Sequence, residues 1–139
     1  MHSKKSGVSD YMANDEFSAI KKCREIILHL NWKKKGILPL RHLRAPSIEP
    51  IYDIDELLGI VPANVRIPFD SREVIARLVD ASRFSEFKPL YGPNLVTVFA
   101  YLHGIPIAII ANNGVLFPAE SNKATQFISL CNQKHSRIR

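Results

Sequence analysis

Two apolar runs, NLVTVFAYL (residues 94–102) and IPIAIIAN (residues 105–112), stand on either side of His103-Gly104. Each has the length and the Val, Ile and aromatic content of a strand, and a two-residue link between them calls for a tight turn. A sheet built this way has to be covered by helices that present apolar faces. The second run, with four apolar residues before Ala111, reads as buried on both faces. It leads into Asn112-Asn113-Gly114 and then into apolar VLF. Asn-Gly here is either a second hairpin turn or the ligand-facing end of a buried strand, and the pattern alone leaves both open.

Three helices can supply the cover. Asn14 or Asp15 can cap one running to about Asn31, with Phe17, Ile20, Cys23, Ile27 and Leu30 on its apolar face and Gly36 and Pro39 ending it. In PFDSREVIARLVDASRF, Asp70 and Glu73 form a capping-box-like pair and Phe69 and Val74 stand at staple positions. Val74, Ile75, Leu78 and Val79 follow as its buried stripe, with the helix ending near Asp80. A last helix begins near Ser121 and carries Ala124, Phe127, Ile128 and Cys131 at steps of three and four. FSEFKPLYG reads as a short strand and turn. Between the first two helices, residues 37–68 hold five of the nine prolines. That is a linker composition, broken by a helical turn at DIDELLG. The chain thus divides into 1–38, a linker at 39–68, and a second unit at 69–139. A strand followed by a helix with no returning strand is two-thirds of a βαβ unit, so the pattern is that of a fold cut part-way.

Charge and cysteine content narrow the function classes. The net charge of +6 comes from residues 1–46, which carry ten Lys or Arg and four Asp or Glu; residues 47–139 carry nine of each. The basic excess sits in NWKKKG and LRHLRAP with Trp32 as its one stacking ring, which reads as a solvated helix end and linker rather than a nucleic-acid surface. No apolar run approaches the roughly 20 residues of a membrane span. MHSKKSGVSD has neither a signal-peptide core nor an Arg-rich amphipathic pattern, so a start at Met1 would leave the chain cytosolic. Cys23 and Cys131 lie far apart with no metal-ligand spacing, and are expected as two buried free thiols. His103 and His135 match no catalytic dyad and read as turn and helix-end residues.

Three blocks, HSKKSGVSDYMANDEFSAI, FDSREVIARLVDASRFSEFKPLYG and IPIAIIANNGVLFPAESNKATQFISLCNQ, resemble in order the carboxyltransferase (β) subunits of the biotin-dependent acyl-CoA carboxylases. Asn-Asn-Gly-Val-Leu-Phe resembles the methylcrotonoyl-CoA type, where propionyl-CoA relatives have an Asn-Gln-Pro pattern. The resemblance implies an α/β, partial crotonase-like (ClpP/crotonase) fold, running from the end of the first carboxyltransferase lobe into the start of the second.

It also implies transfer of a carboxyl group from carboxybiotin, carried on a partner α subunit, to 3-methylcrotonyl-CoA, giving 3-methylglutaconyl-CoA in leucine degradation. The thioester dienolate would be held by backbone N–H groups. ATP and Mg act at the partner, no metal acts here, other β subunits complete the assembly, and the compartment is the mitochondrial matrix. The Gly-rich oxyanion loops of both lobes lie outside these residues, which assigns no catalytic residue to this chain and leaves the isolated chain inactive.

The acyl-CoA-binding stretch corresponds to Arg83 through Asn112, with Arg83, Phe84, Phe87, Lys88, Tyr91, Gly92, Ala111 and Asn112 as its expected contacts. Asn113 and Gly114 form the biotin- or ligand-facing loop, and Gly114 permits close backbone approach. Arg83 and Lys88 suit CoA phosphates, and the aromatics suit an apolar or adenine-facing wall. Pairing of the cations with Glu86 or Asp80, and ordinary core packing of the rings, are the plain alternatives. Val98, Ala108 and Ala111 stand where the family has Gly, which would narrow the acyl or biotin channel. A non-catalytic interaction module with an exposed strand edge is a further alternative.

Overall fold

The computed structural model describes residues 1–30, 46–64 and 66–136, with side chains to residue 133. Trp32, the basic runs at 33–44, Gly36, Pro39 and the side chain of His135 lie outside the described residues.

Three antiparallel strands, β1 (Phe84–Glu86), β2 (Leu95–Leu102) and β3 (Ile105–Asn112), form a sheet in chain order. Phe84 pairs with Ala100, Glu86 with Val98, and Leu95 with Asn112. The expected tight link is present: His103 and Gly104 have φ of 50° and 72°, the pair of positive angles that matches a hairpin to strand twist. Its two N–H groups donate to the Asp80 carboxylate, at 2.8 Å from His103 and 2.7 Å from Gly104.

Helix α3 (Ser71–Leu78) lies on one face of the sheet and α4 (Pro118–Ser136) on the other. Ile75 and Val79 of α3 meet Val96, Val98 and Ala100, with Phe84, Ile107, Ile109 and Ala111 packed around them. Across the sheet, Phe127 of α4 packs in a tilted arrangement against Phe99 and Phe87, with ring centroids 4.8 and 5.7 Å away. Strand β2 is therefore the central, doubly buried strand.

The expectation that β3 is buried on both faces is corrected. Its residues alternate between exposed and half-buried, and Ile105 and Ile110 stand open to solvent. Among the described residues it pairs on one side only, and an unbroken apolar run does not say which strand is central.

The α3 cap is half of the expected box. Asp70 Oδ1 accepts from the Arg72 N–H, but the Glu73 carboxylate pairs with Arg77 one turn on rather than returning to the cap. Leu78 is exposed and Val74 half-buried, so the stripe narrows to Ile75, Ala76 and Val79. Helix α4 starts three residues before Ser121, with Pro118 at its first position, where a missing N–H costs nothing. The DIDELLG turn is a 3-10 turn at Ile54–Glu56 running into the short α2 (Leu57–Ile60). Its segment is fastened to α3 by the buried Arg77, which pairs with Glu56 at 2.6 Å and lies over the Tyr52 ring.

Helix α1 (Glu16–His29) is capped by Asp15, whose carboxylate accepts from the Ser18 N–H at 2.7 Å and is held below its ordinary pKa by that bond. Its apolar face is not covered: Phe17, Ile20 and Ile27 are exposed. The cysteines are thiols and not a disulfide, but their expected burial is corrected: Cys23, on that open face, is exposed, and Cys131, on α4, is half-buried. His29, at the end of α1, stacks on Phe99 and Tyr101.

Candidate functional site

Asn113-Gly114 is not a hairpin turn. Strand β3 ends at Asn112 and the chain crosses directly into α4, so residues 112–117 form a strand-to-helix loop at the end of the sheet where α3 and α4 both begin. The loop is braced on three sides. Asn113 N–H donates to the Asn94 carbonyl at 2.8 Å, and the Asn94 amide donates to the Val115 carbonyl at 2.9 Å. Asn113 Oδ1 accepts from both the N–H (2.8 Å) and the hydroxyl (3.1 Å) of Ser71, tying the loop to the first residue of α3. Phe117 N–H donates to Glu120 Oε2 at 2.9 Å, the N3-to-N-cap half of a capping box. Within this frame Val115, Leu116 and Phe117 are 68%, 54% and 57% exposed. The Asn112 side chain is also on the surface, its Oδ1 accepting from the Gly114 N–H at 3.2 Å.

The other expected contacts divide between interior and surface. Phe87 is buried between Phe127 and the edge of Tyr11, and Phe84 packs on the α3-side core. Lys88 is buried, with φ of 48°; its ammonium donates to the Gly7 carbonyl and pairs with Asp10 at 3.0 Å. Tyr91 lies against Gly7. Gly92 is required twice over: its φ is 55°, and a Cβ there would come within 3.2 Å of the Glu120 backbone at the start of α4. Arg83 is exposed.

Glu86 and Asp80, the carboxylates considered for Arg83 and Lys88, are engaged elsewhere, with Arg72 and with the 103–104 turn. The structure thus gathers Gly92, Ala111, Asn112, Asn113 and Gly114 at one end of the sheet. Arg83 lies beside the Phe84–Ala100 pair, toward the other end. Five strand residues separate that level from Leu95, roughly 17 Å at ~3.3 Å per residue.

Several residues that hold the site were not picked out from the sequence: Ser71, Asn94, Glu120 and Lys123. The Lys123 side chain is fully buried and donates to the carbonyls of Leu95 (2.7 Å) and Gly92 (3.3 Å), with Glu86 at 3.9 Å. Burial lowers its pKa, Glu86 and Glu120 oppose the shift, and Arg72 adds to it. Arg72 grips Glu86 with two bonds of 2.8 and 2.9 Å, and that hydrogen bonding raises the guanidinium pKa. A signal was available. Glu120 and Lys123 precede Phe127 by seven and four residues, which puts both polar groups on the buried stripe of α4.

Residues 1–138 match the carboxyl transferase domain family. The chain belongs to that family. It is 58% identical over 134 residues to a probable biotin-dependent acyl-coenzyme A carboxylase beta2 subunit of Mycobacterium tuberculosis, covering 96% of this chain and 24% of that protein. It is 48% identical to the mitochondrial methylcrotonoyl-CoA carboxylase beta chain of Dictyostelium discoideum, covering 96% and 22%. The beta subunit of P. aeruginosa geranyl-CoA carboxylase superposes with a TM-score of 0.60 at 35% identity, over 95% of this chain and 25% of that one. Transcarboxylase 12S does so with a TM-score of 0.74 at 30% identity, over 94% and 26%.

The carboxyl transferase chain described here therefore spans about a quarter of the length of these relatives. Its homologues include biotin-dependent acyl-CoA carboxylase β subunits, and its fold is part of the crotonase-like α/β carboxyltransferase fold. No described helix is long and apolar enough to cross a membrane. Among the described residues no three His, Cys, Asp or Glu side chains cluster as a metal site.

Proposed function

We propose that the protein carrying this chain transfers a carboxyl group to an acyl-CoA, with 3-methylcrotonyl-CoA as the substrate. The observation that carries the reading is the braced 112–117 loop, which sets the exposed Asn112 amide and the Gly114 backbone beside three exposed apolar side chains. An amide next to apolar surface fits the acyl thioester, and it equally fits the ureido ring of biotin. Carboxybiotin on a partner α subunit, charged there with ATP and Mg, would supply the carboxyl group.

Within this chain the roles divide by geometry. Asn113 braces the loop through Ser71 and the Gly114 N–H is bonded to Asn112 Oδ1, so the exposed Asn112 side-chain NH2 is the group of the loop assigned to the ligand. Lys88 is committed to Gly7 and Asp10, so Arg83 is the exposed cation of the stretch for a CoA phosphate. Its distance from Asn112 is one that an extended pantetheine arm bridges. Phe84, Phe87 and Tyr91 support the stretch from within. Gly92 keeps α4 close and Ala111 lines the strand end. Other β subunits complete the assembly. The mitochondrial matrix is favoured by the relatives named as mitochondrial, although bacterial relatives occur beside them.

The test is to isolate the protein with an antibody to residues 70–92 and measure ATP-dependent bicarbonate fixation into 3-methylcrotonyl-, propionyl- and geranyl-CoA. The highest kcat/KM on 3-methylcrotonyl-CoA is expected. A preference for either competitor overturns the substrate assignment, and fixation into none overturns the carboxyltransferase reading. The same antibody on a denaturing gel is expected to detect a band several-fold heavier than 15.7 kDa.

A second reading, a non-catalytic module that adds its sheet edge to another protein, is favoured by the exposure of Ile105 and Ile110 on β3. A soluble monomer in sedimentation would count against it.

A further inference from the structure

We propose that Glu120 is the positioning residue of the 112–117 loop. Resting on the carboxyltransferase reading for what the loop meets, it fixes the wall against which the acyl group lies. A carboxylate that is 2% exposed is unusual, and such a group is kept where its bonds are made. Oε2 accepts from the N–H of Phe117, the residue that caps its own helix, at 2.9 Å.

A capping residue needs nothing more. Oε1, however, accepts from the N–H of Asn94 in a separate turn, by a longer bond of 3.4 Å. Asn94 in turn receives the Asn113 N–H on its carbonyl and donates its side-chain amide to the Val115 carbonyl. These hydrogen bonds, closed by the backbone that runs from Asn113 through Val115 to Phe117, form a circuit from Glu120 to Asn94, to the loop, and back to Glu120. The buried Gly92 lies close enough to the Glu120 backbone that a Cβ on it would come within 3.2 Å, and Lys123, one turn later, holds the carbonyls of Gly92 and Leu95. The three exposed apolar side chains of the loop are thereby carried on a backbone whose position is set by one buried carboxylate.

Chemistry between positioned groups is sensitive to such placement: a shift of about 1 Å costs about a hundredfold in rate. The test uses the whole carboxylase with Glu120→Ala, Glu120→Gln and Glu120→Asp. Alanine keeps neither acceptor, glutamine keeps one, and aspartate keeps both on a shorter arm. The expected result is a fall in kcat of about 100-fold for Ala and about 10-fold for Gln, with partial rescue by Asp and KM for acyl-CoA within about threefold.

Hydrogen exchange should quicken at the Asn94 and Phe117 amides while the Ile75–Val79 amides of α3 keep their protection. An unchanged kcat, or faster exchange spread evenly over the sheet and α3, overturns the proposal. A wild-type protein that carboxylates no acyl-CoA refutes the reading of function instead. The exchange measurement then decides the loop-holding role alone, supported by a local rise at Asn94 and Phe117 and overturned by its absence.

Discussion

Replacing Phe127 by alanine tests whether α4 is fastened to the sheet as described. The ring is buried to 1% exposure and lies 4.8 Å from Phe99 and 5.7 Å from Phe87, bridging β2 and the turn after β1. Truncating a buried Phe costs about 3–5 kcal/mol, the lost transfer energy plus the cavity left behind. Each aromatic pair contributes about 0.5–1.5 kcal/mol of that beyond simple burial. Against a total stability of about 5–15 kcal/mol, the change removes about a fifth of it or more. At an m value of about 2 kcal/mol per molar, the urea midpoint falls by about 2 M, read by far-ultraviolet circular dichroism on the full chain. Phe127→Leu, which keeps an apolar side chain of nearly the same reach, should cost about 1.5 kcal/mol. A loss under about 1 kcal/mol for the alanine variant would refute the packing of α4 on β2 through this residue.

Asn113→Ala removes the acceptor of both Ser71 groups and should cost about 1–3 kcal/mol, with faster hydrogen exchange in the first turn of α3; unchanged exchange there would refute the brace. The Arg72–Glu86 pair, doubly bonded and partly buried, should show a coupling of about 1–3 kcal/mol in a double-mutant cycle with Arg72→Gln and Glu86→Gln, and zero coupling would remove it from the account. Tyr11 is pushed up to about 12 by burial, then by Asp10 and Glu25. An unfolded chain gives up that proton near 10, so its contribution is intact below about pH 10 and is lost as pH rises through the native value. An ultraviolet difference titration against Tyr11→Phe should place its midpoint near 12, and a midpoint near 10 would refute the burial.

The local elements were legible because they are written in local chemistry. Asp15 and Asp70 cap where their side chains reach the next N–H groups, and two residues between strands leave only a tight turn. The DIDELLG turn and the approximate start of α4 follow from the same short-range rules. The buried faces of Ile75, Val79 and Phe127 were legible too, but the burial of β3 and of the α1 face, which depended on which neighbour arrives, was not. Strand β3 has the more continuous apolar run, yet β2 is the buried strand because α3 and α4 both close on it. Cys23 lies on an amphipathic helix face, yet the face is open.

The candidate site divides along the same line. Its resemblance blocks and the place of Asn112-Asn113-Gly114 after a strand are properties of the sequence, whereas the pattern left a hairpin and a strand end both open there and the passage into α4 decides between them. That Lys88 is used up on Gly7 and Asp10, and that Arg83 stands toward the far end of the sheet, required the fold, because these contacts span 81 residues or one whole strand.

The buried polar groups make the division plainest. Spacing puts Glu120 and Lys123 on the stripe of α4 that carries Phe127, but only the approach of the 92–95 turn gives them partners and makes them the clamp of the loop. Short-range spacing fixes where a chain coils, extends or turns. Burial, and with it the meaning of each charge, is decided by segments that meet from far along the chain.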